Sequence, residues 1–202
     1  MAARRPAAER AVNEAKGDWK HRLDKPPAVV VMGVAGCGKS AVGAALAAAL
    51  GADFIEGDRL HPPANVAKMA SGTPLTDGDR EEWLDTIGRD IAGAAQQGHA
   101  VVAACSALKR VYRDRLRRHH AGTLFLYLDI DPQTARERVA GRKGHFMPAS
   151  LVDSQFAILE PPRPDEAAIT LDGTLPVAVL AEQATALLIS RKGNREDRPL
   201  NP

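Results

Sequence analysis

Gly33-Val34-Ala35-Gly36-Cys37-Gly38-Lys39-Ser40 follows directly on the apolar run Ala28-Val29-Val30-Val31-Met32. The eight residues fit the pattern G-x-x-x-x-G-K-[ST], and their surroundings decide how it is read. The run before them is short and rich in valine, as a buried parallel strand is. The stretch after them, Ala41 to Leu50, is built from alanine and leucine and favours helix. Gly33, Gly36 and Gly38 allow backbone geometries that a Cβ would obstruct. The loop N–H groups, those of Val34, Ala35 and Cys37 among them, then turn inward toward phosphate oxygens at the positive end of a helix dipole. Lys39 reaches β- and γ-phosphates, and the Ser40 hydroxyl is placed for Mg²⁺. A strand, a glycine loop and a helix in this order predict a nucleoside triphosphate site.

The 202 residues suit one α/β domain with tails. Aromatic residues are 4% of the chain, so the core is expected to be small and aliphatic. A formal charge of +2 does not call for nucleic acid. No apolar run has the length of a membrane span. Cys37 and Cys105 make no disulfide framework, which fits a reducing cytoplasm. Residues 1–25 carry Arg, Lys and Ala without the apolar core of a secretory signal. They are expected to be a disordered or weakly helical extension, and 192–202 a charged tail, around a domain of residues 26–191.

Five strand-like runs alternate with helical stretches: Ala28–Met32, Asp53–Glu56, Ala100–Ala104, Leu124–Leu128 and Ala168–Leu171. That alternation predicts a five-stranded parallel sheet with helices on both faces, a three-layer α/β/α sandwich. Working residues then belong at the carboxyl ends of strands. The phosphate loop, Gly57-Asp58 and Cys105-Ser106 satisfy this rule. Arg59–Gly78 and the basic stretch around Arg138–Pro148 read as additions to the core.

Spacing alone leaves two jobs open for Asp58. It could accept a proton from an attacking hydroxyl or hold Mg²⁺ through water, or it could cap the next short helix. Asp129 and Asp131 precede Pro132 and a helical run, which predicts capping. Arg138, Arg142 and Lys143 beside Gly144-His145 could be a closing lid that carries arginine to phosphates, or a solvated helix end. Arg80 suits a bidentate grip on a substrate carboxylate, or an exposed pairing with nearby acids. His61 could bind substrate, and Trp83 is expected in the core.

Taken together the phrases resemble the gluconate kinases, small-molecule kinases with a phosphate loop. The likeness runs through Met32–Ser40, Gly57-Asp-Arg-Leu-His-Pro62, Asn65–Gly72, Pro74–Arg80 with Trp83-Leu84, and Cys105–Lys109 with Tyr112-Arg113-Asp114. It continues through Arg142–Phe146 and Ser154-Gln-Phe156 to Leu159-Glu-Pro161. The resemblance implies ATP-dependent, Mg²⁺-assisted phosphorylation of the D-gluconate 6-hydroxyl. It also implies the phosphate-loop NTPase fold of the shikimate and nucleoside monophosphate kinases, with a lid, and it suggests a cytoplasmic homodimer. By that likeness Asp58 is the catalytic carboxylate and Arg80 the carboxylate ligand. Lys109, His145, His61 and Gln155 become candidates for the acceptor. Arg138 or Arg142 becomes the lid arginine at the nucleotide, with Arg142 a catalytic candidate beside Lys39. Two competing readings have discriminating signatures. Shikimate kinases carry a Gly-Gly-Gly run after the third strand, where this chain has Cys105-Ser106-Ala107. A GTPase switch would carry Asn-Lys-x-Asp, which the chain lacks.

Overall fold

The computed structural model of the protein describes residues 25–141 and 150–196. Expectations placed on 1–24, on 142–149 (Arg142 and His145 included) and on 197–202 lie outside the described residues. In chain order the elements are β1 (Ala28–Met32), α1 (Lys39–Leu50), β2 (Asp53–Glu56), a 3₁₀ turn (Gly57–Leu60), α2 (Pro63–Ala70) and α3 (Asp77–Gln96). They continue with β3 (Val101–Ala104), α4 (Arg110–His119), β4 (Leu124–Asp129), α5 (Pro132–Ala140), α6 (Ser150–Ile158), β5 (Ala168–Asp172) and α7 (Val177–Glu196).

The five strands form one parallel sheet in the order β2-β3-β1-β4-β5. The strand beside β1 on the β2 side is therefore β3. Alternation along β1 sets the layers. Val29 and Val31 pack with Val42 and Leu46 of α1 and Leu180 and Ala184 of α7. Ala28, Val30 and Met32 pack with Trp83 and Ile87 of α3 and Leu116 of α4. The sheet is thus buried on both faces, and the expected three-layer sandwich is the observed one.

Local chemistry explains several boundaries. Helix α3 starts at Asp77 because Thr76 and Asp79 form a capping box, Asp79 N–H to Thr76 Oγ1 at 3.2 Å and Thr76 N–H to Asp79 Oδ2 at 2.8 Å. Asp131 caps α5, as predicted, accepting the N–H of Gln133 and Thr134. Asp129 does not cap: its Oδ1 accepts the Tyr127 hydroxyl at 2.9 Å. Helix α7 runs on to Glu196, into the segment expected as a tail.

A buried ion pair locks the loop after β3. Arg113 has no exposure and Glu166 is buried. Arg113 donates to Glu166 from Nε at 2.6 Å and from Nη2 at 2.8 Å. Its Nη1 donates to the carbonyls of Ala107, Leu108 and Glu160. Ala107 holds φ +42°, among the described residues the one non-glycine with positive φ. The Arg113 hydrogen bonds hold the Glu166 carboxyl at about 2, down from 4.5, against the upward push of burial and with help from the Arg163 N–H. The folded state therefore favours the carboxylate. Its contribution is complete above about 4.5 and is lost as the pH falls toward about 2. We expect Arg113→Met to strand this carboxylate and cost about 3–5 kcal/mol in chemical denaturation. A second variant, Glu166→Gln, should lose less stability than the parent between pH 4.5 and 2.

Candidate functional site: a cleft over the phosphate loop

Three loops at the carboxyl edge of the sheet make the cleft. Its lining includes Gly36, Gly38, Lys39 and Ser40 of the phosphate loop, Asp58 and His61 after β2, and Ser106 after β3. Met69, Arg80, Val139, Ala35 and Gln155 complete the wall. The topology thus brings Lys39, Ser40, Asp58, His61, Arg80 and Gln155 together, six of the residues singled out from the sequence.

The loop shape rests on glycine. Gly33, Gly36 and Gly38 have φ of +138°, +86° and +98°. A Cβ on Gly33 would fall 2.8 Å from Cys37 Sγ and 2.9 Å from Leu128 O, and one on Gly36 would meet Ala135 O at 2.6 Å. The Gly33 N–H donates to Ser106 O at 3.2 Å, tying the loop to β3. Val34 and Cys37 are buried, so they serve the loop through backbone, and the Cys37 side chain belongs to the core. Lys39 Nζ donates to Val34 O at 3.1 Å.

Asp58 lies in the 3₁₀ turn and makes no capping bond: neither that turn nor α2 has a side-chain cap. Its carboxylate is exposed at the cleft. The preceding residue holds it there. A Cβ on Gly57 would collide with the Ala104 carbonyl, so only glycine lets β2 turn this closely past β3. The Gly57 carbonyl accepts Trp83 Nε1–H at 2.7 Å. Trp83 is core, as predicted, but its ring also stacks on His61, with centroids 4.1 Å apart and planes 15° apart. Burial lowers the His61 pKa to about 4, with Asp58 pulling upward and Arg80 pushing down. His61 is therefore neutral at neutral pH, and its Nδ1 is positioned to accept from the Asn65 amide at 3.5 Å.

Arg80 is not the exposed partner of nearby acids. It is 7% exposed, its Nη2 donates to Leu75 O at 3.3 Å, and its Nε has no hydrogen-bond partner. A buried guanidinium donor without a partner costs free energy. Its Cζ stands 5.7 Å from the centre of the Tyr112 ring. Lys109 lies beside the cleft, not on its wall: Nζ reaches both Asp77 oxygens, at 2.7 and 2.8 Å. Tyr112 donates to the same carboxylate at 2.6 Å. These bonds, Lys109 first, hold the Asp77 carboxyl below the usual range. Arg138 is turned to the β5–α7 loop, where it donates to Gly173 O at 2.8 Å and Thr174 O at 3.4 Å. Val139 takes the place on the cleft wall.

Ser106, Met69, Asn65 and Asp77 were not chosen as site residues from the sequence. The rule placing functional groups at strand ends pointed to Ser106. The other three sit where only the packing of α2 and α3 could put them.

The chain is 46% identical over 159 residues to the gluconokinase of Gluconobacter oxydans strain 621H, covering 79% of this chain and 89% of that protein. The chain belongs to the gluconokinase family. To the thermosensitive gluconokinase of Escherichia coli K12 the identity is 40% over 167 residues, 82% of this chain and 89% of that one. A crystal structure of a gluconokinase from Sinorhizobium meliloti 1021 matches with a TM-score of 0.75 and 44% identity. The match covers 84% of this chain and 97% of that one. A family model described as an AAA domain matches residues 29–162. Phosphate-loop nucleotide chemistry thus stands on the family, on the fold and on the loop geometry.

For Asp58→Asn we expect turnover to fall by roughly 10²–10⁴-fold while ATP affinity changes by less than about threefold. Steady-state rates and calorimetric ATP titration of the same preparation check this.

Proposed function

We propose that this chain transfers the γ-phosphoryl group of ATP to the 6-hydroxyl of D-gluconate, giving 6-phospho-D-gluconate and ADP. One observation carries the acceptor side. The cleft that the phosphate loop opens into contains a buried guanidinium, Arg80, with an unpartnered Nε. A planar fork of donors suits a carboxylate, and gluconate ends in one. In this reading Asp58 takes the proton of the acceptor hydroxyl as its oxygen attacks phosphorus in line. Lys39 and the loop N–H groups not spent within the protein, as those of Gly33, Ala35 and Cys37 are, hold the phosphoryl oxygens as negative charge shifts toward the leaving ADP. His61, neutral, meets hydroxyls without adding charge. Lys109 comes to the acceptor together with Asp77, and an arginine from the end of α5 or just past it, Arg138 or Arg142, screens the phosphates.

Magnesium belongs to the same reading. A hard cation at a nucleotide site keeps mostly phosphate and water oxygens and takes one or two protein ligands. The Ser40 hydroxyl and Asp58 carboxylate share the cleft and fit that role. Among the described residues no group of three or more His, Cys, Asp or Glu side chains could hold a metal by itself. Bound there, the ion would neutralise phosphate charge. No helix of the described residues is long and apolar enough to cross a membrane. Work in the cytoplasm as a homodimer completes the proposal, and light scattering after size exclusion checks the dimer.

A coupled ADP-release assay over a panel of acceptors tests the activity. We expect release to depend on D-gluconate and to be weak with shikimate and other sugar acids. Acceptor-independent release, or a preference for another acid, would overturn the assignment. Arg80→Ala should raise KM for gluconate about tenfold or more with KM for ATP unchanged, since it removes a charge-assisted pair on one substrate only.

A further inference from the structure

The peptide joining Val34 to Ala35 is engaged at both of its polar ends. Its N–H, on Ala35, donates to Gln155 Oε1 at 2.7 Å. Its carbonyl, on Val34, accepts from Lys39 Nζ at 3.1 Å and from the Cys37 N–H at 3.3 Å. A trans peptide is planar, and its N–H and C=O point in opposite directions. Pinning the N–H from one side therefore aims the carbonyl to the other, where the ammonium sits. Hydrogen bonds passing through one amide also strengthen each other, so the bond to Gln155 makes the Val34 oxygen a better acceptor. The amide orientation follows from the chemistry: the Ala35 N–H can only donate, so Gln155 presents oxygen to it.

Gln155 holds this position because its helix is fixed. Val152 of α6 is fully buried in the core, and Phe156 and Ile158 pack against the same cluster. Just past the helix, the Glu160 N–H donates to Leu108 O at 2.8 Å, and its carbonyl accepts from Arg113 at 3.0 Å. The Glu160 carboxylate accepts the Arg110 N–H at 2.7 Å. Helix α6 is thereby anchored to the loop after β3 and spans from that anchor to the phosphate loop.

We infer that Gln155 is a positioning residue for Lys39, setting through the Val34–Ala35 peptide where the ammonium stands when it meets the phosphates of the nucleotide. The resemblance implied contact with the acceptor; the hydrogen bond to Ala35 assigns it to the other substrate. The inference rests on the phosphate-loop reading of the cleft and is independent of which acceptor is phosphorylated.

A double-mutant cycle read by ATP binding without acceptor tests it. Gln155→Met keeps the length of the side chain and removes the amide acceptor. We expect it to weaken ATP binding about tenfold in the parent chain, and by less than about twofold in a Lys39→Met background, because the two residues act as one unit. Amide exchange in the nucleotide-free protein gives a readout outside activity. Ala35 should be protected in the parent and exchange faster in Gln155→Met. Gln155→Glu, which retains an oxygen acceptor at the same reach, should keep Ala35 protected and decides the case if the Met variant does not fold. Equal tenfold losses in both backgrounds, no loss in the parent background, or an unprotected Ala35 in Gln155→Glu would each overturn the inference. A rise in KM for gluconate at constant ATP affinity would return Gln155 to the acceptor. A parent chain that binds no ATP would overturn the phosphate-loop reading itself, and the inference with it.

Discussion

The floor of the cleft depends on one guanidinium that meets no water. Arg113 joins three stretches that are distant in sequence: the loop after β3, the residues after α6, and Glu166 ahead of β5. Removing two charges from water costs several kcal/mol per ion before any attraction is gained, so such a pair is a poor way to add stability. Its effect here is to single out one arrangement. The carbonyls of Ala107 and Leu108 have to face inward to satisfy the buried N–H groups, and Ala107 accepts a left-handed backbone to allow it. Ser106, the residue before, then lines the cleft and offers its carbonyl to the Gly33 N–H. The clamp thus reaches the phosphate loop through one intervening residue, and the substrate-facing surface inherits its rigidity from a group that touches no substrate.

Two kinds of constraint divide the cleft. On the phosphate side the backbone does the work, and the side chains that matter for its shape are the missing ones of Gly33 and Gly36. On the other side the geometry is carried by side chains stacked on one another. Trp83 holds the Gly57 carbonyl and the His61 ring, Asn65 reaches His61 and the Asp79 carbonyl, and Tyr112 lies between Arg80 and Asp77. Backbone cradles suit a ligand whose oxygens are alike. Stacked side chains can be fitted to a ligand with distinct ends.

This division explains what the sequence disclosed. The sheet was legible because the valines of β1 and the apolar runs of β3 and β4 have no other stable use, and the phosphate loop because its glycines and lysine have fixed spacing. Asp58 was legible as a position, at the end of a strand, but its freedom from capping depends on the turn that Gly57 permits. Arg80 could be named and not placed, since nothing in the order of residues says that a helix will bury it. The roles of Asn65, Asp77 and Met69 were illegible for the same reason: they follow from how α2 and α3 lean on the sheet. Lys109 was named through the resemblance, and its place beside the cleft wall follows from Asp77, which holds the ammonium.

Both cysteines of the chain are sealed. Cys37 is packed under the phosphate loop and Cys105 directly follows β3, where burial pushes its thiol up to about 12. A thiol without an accessible thiolate is inert toward alkylating reagents. The native protein is therefore blank to maleimide chemistry, and a single cysteine introduced at an exposed position of α4, such as Val111, would carry a fluorophore or spin label without any need to replace the native pair. The emission or line shape of such a label would then report the nucleotide cycle in an otherwise unmodified chain.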